Sequence, residues 1–91
     1  MSHLCHPGQA NDGASGIGGL ARVWAELSQR QSRRYSYLFL ALPETIGSVA
    51  WLWARPELAS KIAAGIDYEM LGVDTKLVLK QSHKPDSIIA V

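Results

Sequence analysis

The sequence predicts an α/β domain with a mostly parallel sheet covered by helices, and three observations predict it. Apolar runs with the marks of strands alternate with helix-periodic segments, in the order loop, helix, strand, helices, strand, strand. Residues 35–42 form a short, aromatic-rich apolar run closed by Pro43, the pattern of a central strand buried on both faces. Strands separated by helical segments need crossover connections, which build βαβ units and leave room for an antiparallel edge.

Taken in order, residues 1–16 are a loop rich in turn formers (Pro7, Gly8, Asn11, Asp12, Gly13, Gly16), with the end of a strand at 3–5. A helix follows. Ile17, Leu20, Ala21, Trp24 and Leu27 make one apolar stripe, with Arg22, Glu26 and Gln29 opposite and Ser15 or Asp12 available to cap the first turn. After the 35–42 strand, residues 47–54 read as a short helix. Pro56 is suited to the first turn of another, 56–64, ended by Gly65. Residues 66–71 read as a strand, 72–74 as a turn and 75–80 as an alternating strand with one wet face. Trp51 and Trp53 read as packing residues.

Ninety-one residues allow one small domain, and 47% apolar with 19% charged residues fits a folded chain. Nine Lys and Arg against eight Asp and Glu give a formal charge of +1, so nothing in the charge points to nucleic acid or an anionic membrane. The cluster Arg30, Arg33, Arg34 reads as a solvated connection. One cysteine excludes an intramolecular disulfide and fits a reducing compartment, so a cytoplasmic location is expected. No apolar run approaches the roughly 18 residues of a membrane span, and the start lacks the basic and apolar regions of a signal peptide. Chemistry-bearing residues begin at position 3 and the chain closes on strand-like sequence. The expectation is therefore a single partial domain, 1–91, with an exposed sheet edge through which it would oligomerise.

In open α/β sheets ligands collect beyond the carboxyl ends of the strands. His6 and Asp12 follow the first strand, Glu44 lies just past the 35–42 strand, and Glu69 falls near the end of the next. One imidazole and three carboxylates on one edge suit zinc, or two divalent ions bridged by a carboxylate. Each residue also has a plainer role: Asp12 in a turn, Glu44 at a helix start, Glu69 on a wet strand face, His3 and His6 as loop histidines. The run Gly13-Ala-Ser-Gly-Ile-Gly18 looks like the phosphate turn of short-chain dehydrogenases. It lacks the apolar strand before it and the acid about twenty residues on.

Four segments carry a resemblance: Leu-Cys-His-Pro-Gly-Gln-Ala-Asn-Asp-Gly-Ala-Ser-Gly, Arg-Tyr-Ser-Tyr-Leu-Phe-Leu-Ala-Leu-Pro-Glu-Thr-Ile-Gly-Ser, Tyr-Glu-Met-Leu-Gly and, more weakly, Leu-Lys-Gln-Ser. In these the chain is similar to the co-catalytic zinc aminopeptidases of the bacterial leucine aminopeptidase and glutamate carboxypeptidase type. It resembles most a bacterial aminopeptidase-like subgroup with a Cys-His-Pro loop. The resemblance implies a three-layer αβα zinc-exopeptidase fold, incomplete here, and one or two zinc ions. It implies a first-loop histidine ligand, with His6 the first choice and His3 the reserve, and Asp12 bridging the ions. Glu44 stands where the family has two consecutive acids, as base or ligand, and Glu69 stands where it often has Asp. A last histidine comes from later in the family domain, and His83, in a polar stretch, suits that role poorly.

The activity implied for the intact domain is a metallopeptidase's: hydrolysis of a peptide or aminoacyl amide by metal-activated water, with Glu44 moving the proton if it is the base rather than a ligand. Cys5 reads as a packed neighbour, and Ser15 and Ser48 lack the paired base of a serine triad. The reading from a different class is a non-catalytic metal-binding or partner-binding remnant of the same fold.

Overall fold

Two segments far apart in the chain lie side by side. Strand β1 (Ser2–His3) pairs in parallel with β2 (Ala41–Leu42), Ser2 opposite Ala41 and His3 opposite Leu42. The computed structural model describes residues 1–80. The Ser2 N–H donates to Leu40 O at 3.0 Å and the Leu4 N–H to Leu42 O at 2.9 Å, and helix α1 (Ser15–Ser28) provides the crossover. The result is one βαβ unit. On the other side of β1 the Met1 amino group donates to Ile66 O, and the Tyr68 N–H donates to Met1 O at 2.8 Å. That is the bonding pattern of a parallel pair with Met1 opposite Asp67, so β1 runs between residues 66–68 and β2. Helices α2 (Ile46–Ala54) and α3 (Pro56–Ala59) complete an α/β unit of three helices and a two-stranded parallel sheet.

Helix α1 is rotated from the expected stripe. Its inward face is Gly16 and Leu20 with half-buried Val23 and Leu27, whereas Trp24 is 58% exposed. The cause is a close approach of backbones at Gly16. A Cβ there would overlap the Tyr68 carbonyl oxygen and the Ser2 hydroxyl, so only glycine lets the helix sit this near the sheet. Neither expected side chain caps the first turn. The Ser15 hydroxyl instead donates to Asn11 O at 2.6 Å and accepts the Leu71 N–H at 2.9 Å. Of the glycines in the dehydrogenase-like run, Gly16 thus serves packing, whereas Gly18 meets nothing within 4 Å.

The helix expected over 47–54 forms as α2. The helix expected over 56–64 stops at Ala59, because Ser60 Oγ donates to Glu57 O at 3.1 Å and the next turns tighten, with Lys61 N–H on Leu58 O at 3.0 Å and Ile62 N–H on Ala59 O at 3.2 Å. Among the described residues the 35–42 run pairs only at β2, and Tyr35, Tyr37 and Leu38 remain about half exposed. Residues 66–71 reach only the Met1 pair, and 75–80 have no strand partner among the described residues, with Leu77 81% and Val78 87% exposed. Apolar patterning suits a segment to a sheet, but a strand also needs a neighbour. His83 lies outside the described residues, and no helix within them is long and apolar enough to cross a membrane.

Candidate metal centre

Because β1 and β2 are parallel, their carboxyl ends open on the same edge, where Cys5 and His6 leave one strand and Glu44 leaves the other. His3 and Cys5, two residues apart on extended chain, share a face. The side chains close into a ring. His3 Nδ1 lies 3.2 Å from Cys5 Sγ and His3 Nε2 lies 3.0 Å from Asp12 Oδ1. Asp12 Oδ2 is 3.6 Å from His6 Nε2, which is 3.6 Å from Glu44 Oε2, and Glu44 Oε2 is 4.0 Å from Cys5 Sγ. The His3 and His6 rings meet edge to face, with centroids 5.3 Å apart.

The ring has a closed floor and an open rim: His3 is 6% exposed, whereas the Glu44 side chain is 58% exposed. Beside it a cleft of about 430 Å³ is bordered by Leu4, Cys5, His6, Pro7, Gln9 and Ala14.

The backbone around the ring departs from regular geometry at several points. Residues Ala10–Ala14 form a wide turn in which the Ser15 N–H donates to Ala10 O, a π-type bond, with Asp12 in an extended conformation inside it. Gly13 follows at φ 102°, a conformation glycine adopts freely, and packs against the His3 carbonyl. Thr45 has φ 56° and ψ −65°, and the Ile46 N–H donates to Glu44 O: a γ-turn of the rare, strained hand. Met70 has φ 45°. These two residues, the non-glycine positions of positive φ among those described, each directly follow a candidate carboxylate, Glu44 and Glu69. Strain of this kind gathers at functional sites.

His3, His6, Asp12 and Glu44 come together. Glu69 is exposed and stands outside the group among the described residues, although its segment is clamped to the loop carrying Asp12. The Gly72 N–H donates to Asn11 Oδ1 at 2.8 Å, beside the Leu71 bond to Ser15. Cys5 belongs to the group although the sequence suggested only a packed neighbour; the signal was its spacing of two from His3 on a strand end. The group could hold a metal ion. Ligand atoms of His3, Cys5, His6 and Glu44 all lie within 4.8 Å of one another. Donors each roughly 2.0–2.3 Å from one tetrahedral zinc ion stand about 3.3–3.8 Å apart, and imidazole and carboxylate are among zinc's usual partners.

Comparison with known proteins adds two findings. The model of a family described as Domain of unknown function (DUF4910) matches residues 1–90. A Clostridium acetobutylicum protein, whose name describes polysaccharide biosynthesis and an aminopeptidase-like domain, is 37% identical over 65 residues, or 71% of this chain. The match covers 15% of that relative, so the chain spans a small part of its length. No solved structure matches. The link these findings support is a coarse one, to aminopeptidase-like domains.

Proposed function

The chain belongs to the DUF4910 family, and from that premise we propose that it carries part of the metal centre of a zinc-dependent, aminopeptidase-like hydrolase acting on peptides or aminoacyl amides. The observation that carries this is the convergence of His3, Cys5, His6, Asp12 and Glu44 at the shared carboxyl edge of two parallel strands. A three-layer αβα arrangement of the co-catalytic zinc exopeptidase kind is the fuller fold proposed around it.

A bound zinc ion supplies Lewis acidity, which polarises a carbonyl and acidifies water. Asp12 presents Oδ1 to His3 and Oδ2 to His6, and with them would hold the metal. Glu69, outside the group as it stands, would be a further ligand; the clamp on its segment and the strained Met70 beside it favour that role. Glu44, on the open rim, takes the proton of an attacking water and delivers it to the departing amine.

The test combines zinc stoichiometry by elemental analysis with hydrolysis of aminoacyl p-nitroanilides. Glu44→Gln is expected to lower turnover by roughly 10²–10⁴-fold while zinc stays bound. Loss of zinc in that variant would make Glu44 a ligand, and unchanged turnover would remove it from the site. A non-catalytic metal-binding domain is the second reading, favoured by the exposure of Glu44 on an open rim, since a base works best where water is excluded. Zinc bound tightly without turnover would select it.

A further inference from the structure

The two ring nitrogens of His3 face different partners. Nε2 looks at Asp12 and Nδ1 at Cys5 Sγ, 3.2 Å away. A ligand imidazole gives one nitrogen's lone pair to the ion and donates its other N–H to an outer partner, which fixes the tautomer and the ring's orientation. The two nitrogens diverge, so one ion takes only one of them. If Nε2 serves the ion that Asp12 shares, the proton is on Nδ1 and sulfur is its acceptor. Resting on the metal-centre reading above, we propose that Cys5 is a positioning residue for His3, holding the ring through Nδ1 so that Nε2 is presented beside Asp12.

Two independent features support this. His3 is 6% exposed, so little water reaches Nδ1, and an unpartnered buried N–H is costly. The backbone also fixes the pair: Leu4 N–H stays bonded to Leu42 O, which keeps the chain extended and turns the Leu4 side chain to solvent while His3 and Cys5 share the inner face. Sulfur in the place of the usual carboxylate or carbonyl is a weaker acceptor.

Cobalt(II) is the probe, read by its visible absorption on titration into the protein. The wild type is expected to bind it without the intense near-ultraviolet band of a thiolate ligand. Cys5→Ala should weaken binding about 10- to 100-fold. Cys5→Ser, whose hydroxyl accepts the same N–H after a small shift, should stay within a few-fold of wild type. Far-ultraviolet circular dichroism checks that both variants are folded. A thiolate band lost in Cys5→Ala would overturn the proposal by making sulfur a ligand. Equal affinity in wild type and Cys5→Ala, or Cys5→Ser no better than Cys5→Ala, would overturn it while leaving the metal centre standing. Absence of cobalt uptake by the wild type would overturn both.

Discussion

Residues 1–20 and residues 66–80 differ in what orders them. The first stretch holds nearly all the burial among the described residues: Ser2, His3, Gly13, Gly16 and Leu20, joined from elsewhere by Gly47. The second is richer in large apolar side chains, yet Ile66, Val73, Leu77, Val78 and Leu79 are all 42% exposed or more. Order here comes from backbones pressed together at glycines and from polar clamps such as Asn11 and Ser15; Leu20 is the one buried apolar side chain described. Apolar content alone did not decide which stretch is held.

Substitutions break or sharpen that comparison. Leu20→Ala, at the buried apolar position of α1, should cost about 2–4 kcal/mol of unfolding free energy in urea titrations; a cost below about 1 kcal/mol would mean the first stretch is not held there. Two glycines of one helix come next. Gly16→Ala should destabilise by about 1–3 kcal/mol, since its methyl meets backbone. Gly18→Ala, which meets nothing within 4 Å, should stabilise by about 0.5–1 kcal/mol. Equal effects at the two positions would refute the close approach as the source of order. The smallest change is expected in the second stretch, where Leu77→Lys should shift stability by no more than about 0.5 kcal/mol. A larger loss would show that this face is covered in solution.

Parallel-sheet topology made much of the site legible beforehand: residues just beyond the ends of two parallel strands must share an edge, and His6, Asp12 and Glu44 stand there. The helix α1 was legible from its periodicity but its rotation was not, because the contact that sets it comes from Tyr68, more than fifty residues away. Cys5 went unrecognised for a related reason, as a spacing of two matters only once the chain at His3 is known to be extended. Thr45 and Met70 give no sequence sign of positive φ. The 35–42 run shows the limit from the other side, since its composition records fitness for a sheet and only pairing makes it a strand.

The Ser15 hydroxyl, bonded at once to Asn11 and to Leu71 56 residues further on, bears on when the site comes into being. Closing so long a loop loses chain entropy before any contact compensates it, which makes such pairings late events in folding. The loop around Asp12 therefore gains its outer brace only after residues 71 and 72 have been synthesised and docked. On a ribosome His3 and His6 emerge before residues 71 and 72 that brace their loop, so within this segment the centre matures in the opposite order to the chain.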